Sequence, residues 1–117
     1  MKPDAEDLLE HVVDYLCEES ADAVAELSDA EIRRRAALGI QRAQSHGIED
    51  AEPITAFVSL MFLVAPDFDQ QPAIAAALAD TKTPPALRLK QLFERTKETD
   101  WDEAAAQTSG WGSLAGA

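Results

Sequence analysis

The residues with the most chemical reach in this chain are His11, Cys17, His46 and a set of closely spaced acids, Glu49, Asp50, Glu52, Asp67 and Asp69. Five carboxylates near one another would suit a hard cation that takes several oxygen ligands. A helix-loop-helix calcium loop counted from Asp67 would place glycine sixth and glutamate twelfth. The chain has Pro72 and Leu78 there, so the acids read better as helix caps, and no metal is expected. Neither histidine has a second His or Cys three or four residues away, the spacing that builds a metal-binding helix face; both are expected at the solvent edge. Cys17 has no basic neighbour in sequence to stabilise a thiolate and is expected to be a quiet, partly buried thiol. Ser20, Ser28, Ser45 and Ser59 lie outside any G-x-S-x-G setting, and no glycine-rich phosphate loop is present. No catalytic constellation emerges, so the expectation is a non-enzyme without a cofactor.

The elements that hold these residues are helices. The 117 residues suit one domain with a modest core. Ala, Leu, Glu and Asp dominate and β-branched residues are few, which favours an all-α fold. We expect about five to six helices around a central apolar helix, as a domain over 1–107 with a loose tail over 108–117. A net charge of -12 repels phosphate backbones and anionic lipid, so neither nucleic acid nor membrane is an expected partner. The single cysteine allows no internal disulfide, and MKPDAEDLLE has acids where a secretory signal needs an apolar stretch. The expected address is the cytoplasm. The most apolar run, within 54–65, is about a dozen residues, short of the roughly 20 that span a bilayer.

Apolar residues at 8, 9, 12, 13 and 16 predict an amphipathic helix over 4–19. Ser20 is placed to cap a short piece over 21–27. Ser28 with Glu31 has capping-box spacing, and Gly47 stands where a helix ends in a left-handed residue. Between them Ala36, Gly39 and Ala43 form a stripe small enough for close helix approach. Asp50 and Pro53 open the next helix, whose apolar residues 54, 57, 58 and 60–64 leave no wide polar face; this is the central helix. Pro66 ends it. Asp67-Phe68-Asp69 forms a turn in which Phe68 folds back under the helix and the two aspartates satisfy backbone donors, Asp69 capping a helix over 72–79. Thr83-Pro84 opens another helix carrying Leu87, Leu89, Leu92 and Phe93, and the acids after Thr99 predict one last short helix. Trp101 and Trp111 follow the last strongly periodic helix. One of them is expected to close the core; Trp111, between two glycines, is read either way, as core or as an anchor for another protein.

Charge is divided along the chain. Residues 1–31 hold eleven acids and one Lys, and residues 32–48 hold four Arg and no acid. Internal pairing accounts for part of this, and the remainder is a negative surface on the first helix that would steer a basic partner. The candidate contact residues are Glu10, Asp14, Glu18, Phe57, Phe68 and Trp111.

The run RAQSHGIEDAEPITAFVSLMFLVAPDFDQQPAIAAALADTKTPPALRLKQLF, residues 42–93, resembles a group of small helical bacterial proteins. The matching positions are Phe57, Leu60, Met61, Phe62, Pro66, Asp67, Phe68, Asp69, Pro72, Arg88, Leu89, Leu92 and Phe93. Proteins of this kind look like accessory products of type VI secretion clusters. The resemblance implies a co-chaperone that binds an adaptor chaperone or effector through an apolar groove beside the central helix and yields to a PAAR-type tip protein during effector loading. The alternative is an acidic immunity protein that neutralises a cognate toxin.

Overall fold

A computed structural model of the chain describes residues 5–79, 82–106 and 108. They form seven α-helices and one 3-10 turn, with no strand among the described residues: α1 (Ala5–Glu19), α2 (Ala21–Val24), α3 (Asp29–Ser45), α4 (Ala51–Leu63), the 3-10 turn Phe68–Gln70, α5 (Pro72–Leu78), α6 (Pro85–Arg95) and α7 (Glu98–Ala106). The all-α expectation holds, with more helices than the five to six read from periodicity. Each of the seven falls on a segment read as helical in the sequence, the short piece after Ser20 included, of which α2 is a single turn. Trp111 and the expected tail lie, apart from Thr108, outside the described residues.

The apolar stripe of α1 turns inward as its periodicity demands, with Leu8, Val12, Val13 and Leu16 buried. The small stripe of α3 does what its sizes allow. A Cβ added at Gly39 would stand 2.9 Å from Val58 Cγ2 and 3.1 Å from Met61 Sδ, so α3 and α4 meet at glycine, closer than a larger residue would permit. The central position of α4 follows from its composition: it packs against α1, α2, α3 and α6 and buries Ile54, Phe57, Val58 and Met61. Two hydroxyls on it are spent within the helix, Thr55 Oγ1 donating to the Ala51 carbonyl at 2.7 Å and Ser59 Oγ to the Thr55 carbonyl at 2.8 Å.

Phe68 folds back into the core as expected, fully buried, with its ring 5.0 Å from Phe57 and 5.7 Å from Trp101. Trp101 packs on the core, its indole N–H donating to Thr96 Oγ1 at 2.9 Å. On α6 Leu89 and Leu92 are buried, while Leu87 and Phe93 stay exposed.

Several helix ends differ from the caps read in the sequence. The end of α3 is as expected: Gly47 has φ 82°, and the amides of Gly47 and Ile48 donate to the carbonyls of Gln44 and Ala43 at 2.9 and 3.2 Å, the double bond pattern of a Schellman motif. Ser28 accepts from the Glu31 amide at 3.1 Å, but the Glu31 carboxylate turns to Arg34 and Arg35, so the reciprocal half of the capping box is replaced by ion pairs. Ser20 and Asp50 occupy cap positions without a side-chain capping bond. Asp69 does not cap α5; Gln71 does, its Oε1 accepting from the Ile74 amide at 2.9 Å. Pro84, not Thr83, is the cap residue of α6, and Thr83 Oγ1 instead donates to Gln91 Oε1 at 2.9 Å. At α7 the cap work falls to Asp100, whose Oδ2 accepts from the Lys97 amide at 2.9 Å.

Candidate functional site

Two arrangements gather polar chemistry. The first sits where the C-terminus of α3 meets the 3-10 turn. Arg42, in the last turn of α3, donates from Nε and Nη2 to Asp69 Oδ1 at 3.0 and 2.8 Å, and His46 Nε2 lies 2.8 Å from Asp69 Oδ2. The Asp69 side chain is 3% exposed. Burial pushes its carboxyl upward, but the hydrogen bonds from His46 and Arg42 outweigh that and hold it below the ordinary aspartate value. The His46 ring leans on Phe57 at 5.6 Å, and Arg88 of α6 donates from Nη1 to the His46 carbonyl at 2.6 Å and from Nε to the Thr83 carbonyl at 3.1 Å. Cations at a helix C-terminus offset its partial negative charge.

A carboxylate–imidazole pair can orient a general base, but that chemistry needs a nucleophile within reach of the free ring nitrogen. The nearby hydroxyl of Ser45 donates to the Arg42 carbonyl at 2.5 Å, and Cys17 lies exposed on α1, not partly buried as expected. What the cluster does is tie three segments of chain, α3, the 3-10 turn and α6, around one buried carboxylate. His46, its side chain 26% exposed, stands at the solvent edge as read in the sequence but with its ring bonded to a buried carboxylate, and His11 is exposed. Among the described residues no group of three or more His, Cys, Asp and Glu is placed to hold a metal ion.

The second arrangement is the outer face of α1 with the depression beside it. Internal pairing consumes the arginines of α3: Arg33 with Glu10, Arg34 and Arg35 with Glu31 at 2.6 and 2.8 Å, and Arg42 with Asp69. The pairing holds the Glu31 carboxyl down at about 2, through its bonds to Arg34 and Arg35, and lowers Glu10 through its bond to Arg33. Asp7, Asp14 and Glu18 share the solvent face of α1 and form no ion pair among the described residues. Beside that face, between α1 and α4, lies an open depression of about 600 Å³ lined by His11, Tyr15, Ala51, Glu52, Thr55 and Ala56. Tyr15 is 40% exposed there.

The candidate contact residues are thus scattered. Asp14 and Glu18 are exposed and Glu10 is engaged by Arg33. Phe57 and Phe68 are fully buried, out of reach of any partner of the folded chain, because α4 is covered on the side that carries Phe57 and Phe68 is enclosed between Phe57 and Trp101. Trp111 lies outside the described residues. Tyr15 was not singled out in the sequence, and Glu52 only as one of the acids weighed for a cation. The available signal was Tyr15 four residues after His11, at the edge of the α1 apolar stripe, where a large ring borders the neighbouring helix.

No family model, no curated protein and no solved structure matches the chain.

Proposed function

We propose that the chain is a non-catalytic protein-binding module, a cytoplasmic co-chaperone or accessory factor that holds an adaptor chaperone or effector during type VI secretion effector loading. The observation that carries the binding role is where charge remains after internal pairing. The arginines of α3 are spent on Glu10, Glu31 and Asp69, and α1, which has no Lys or Arg, keeps Asp7, Asp14 and Glu18 facing solvent. A surface of one sign speeds encounter with a partner of the other sign and disfavours acidic competitors. The secretion role rests on the resemblance of residues 42–93. Binding and release need no chemistry here: exchange for a tip protein requires only that the partner favour one assembly over the other.

Coexpression of the tagged chain with the adaptor chaperone and effector encoded beside it tests the reading. The expected result is a complex that survives size-exclusion chromatography and weakens when Asp14→Lys and Glu18→Lys are combined. Absence of that complex, together with survival of toxin-expressing cells that carry the chain, would replace the co-chaperone role with that of an acidic immunity protein.

A further inference from the structure

The depression between α1 and α4 does not end at α4. A second one, of about 350 Å³, lies on the other side and is lined by Asp50, Glu52, Pro53, Ala56 and Leu89. Glu52 and Ala56 line both, so the two adjoin along the exposed start of α4, and together they make a track from α1 to α6. A track suits an extended or helical segment of chain better than a compact small molecule. Its α1 side is apolar and shallow: the Tyr15 ring, Ala51, Ala56, and Thr55, whose hydroxyl is held by the Ala51 carbonyl. The charged residues in its lining are acids, Asp50 and Glu52, and basic groups, Arg88 and Lys90, flank Leu89 only at its α6 end. Glu52 is in the lining, and Asp14 and Glu18 stand three residues beyond His11 and Tyr15, adjacent on the same helix surface. Neither α1 nor α4 contains a Lys or Arg.

Resting on the protein-binding reading above, we infer that this track docks a basic amphipathic segment of a partner protein, seating an apolar side chain between Tyr15 and Ala56 and pairing Lys or Arg with Glu52, Asp14 and Glu18. An apolar floor with an acidic border takes such a segment and rejects two others. An acidic helix meets like charge, and a basic segment without an apolar face leaves the floor wet.

The test uses a fluorescein-labelled leucine-lysine amphipathic peptide, a serine-lysine peptide of equal charge, and the full chain, read by anisotropy at moderate salt. The expected result is saturable binding of the first peptide, at least about tenfold tighter than the second, with amide shifts concentrated at residues 11–18 and 51–56. Ala56→Trp, at an exposed position, fills the track and Glu52→Lys reverses its charge; each weakens binding at least about tenfold while the helical circular dichroism is unchanged. Equal binding of the two peptides overturns the proposal by showing bare charge attraction. Unchanged binding to Ala56→Trp overturns it by placing the peptide elsewhere. A dimer of the chain that Ala56→Trp dissolves, seen by sedimentation, overturns it by making a second copy the occupant. The native complex retained at full affinity by Ala56→Trp overturns the track alone and leaves the protein-binding module standing, whereas loss of the module reading shows as the absence of any complex with the unmodified chain.

Discussion

Asp69 joins the end of α3 to the 3-10 turn through one buried polar side chain. Its two oxygens are divided between a guanidinium and an imidazole, and removing the carboxylate leaves two partly buried donors without their acceptor. Asp69→Ala is expected to cost about 3 kcal/mol of stability in urea denaturation, the lower end of what breaking a buried pair costs, because Arg42 and His46 keep some solvent. The pH dependence follows from the direction of the shift. The carboxyl is lowered in the folded chain relative to the ordinary value, so its contribution is complete above the unfolded value and is lost as pH falls through the folded one. The stability gap between the native chain and Asp69→Asn should therefore close on acidification below about pH 4, the ordinary aspartate range. A gap that instead widens there would place the proton linkage elsewhere. At Cys17, exposure predicts full reaction with a thiol reagent under native conditions, with no change in thermal midpoint for Cys17→Ser.

Two glycines set the geometry of α3, for different reasons. Gly47 ends it in a left-handed conformation that L side chains rarely adopt, so Gly47→Ala should cost about 1 kcal/mol through backbone strain while leaving the fold intact. Gly39 lies in the helix interior, where alanine would ordinarily be preferred by about 1 kcal/mol. Its reason is the approach of Val58. Gly39→Leu is expected to destabilise by at least about 2 kcal/mol by prying α3 from α4. Val58→Ala added to that variant should recover part of the loss, a non-additivity that a double-mutant cycle measures. Additive costs would mean that the two side chains do not share the contact. Elements were the scale most legible in the sequence. The stripe at Ala36, Gly39 and Ala43, the Schellman glycine and the central apolar helix are all local signals, each specified by residues within a few turns of one another. Cap chemistry was less so, because a polar side chain at a helix start has competing partners: Glu31 found Arg34 and Arg35 in its own helix, Asp69 found Arg42 and His46, and Thr83 found Gln91.

For the whole molecule, the division of charge has a kinetic consequence. With internal pairs neutralising the α3 arginines, association with a basic partner should slow by at least about tenfold between about 0.05 and 0.5 M salt, where screening shortens the reach of the acidic face; a salt-independent rate measured by stopped flow would deny that steering. Helix number and the identity of the buried stripes were set by periodicity and size, properties that act within one helix and so can be read along the chain. Glu31 met Arg34 and Arg35 within one helix, but the pairs between elements were settled only when the helices packed. Arg42 and Asp69 are 27 residues apart, and a charged side chain near a helix end is equally content with solvent, a backbone amide or a counter-ion until tertiary contacts bring one of them close. The same is true of the track across α4: Tyr15, Glu52 and Ala56 have no common signal in the linear order, and a surface shared by α1, α4 and α6 exists only once those helices are fixed side by side.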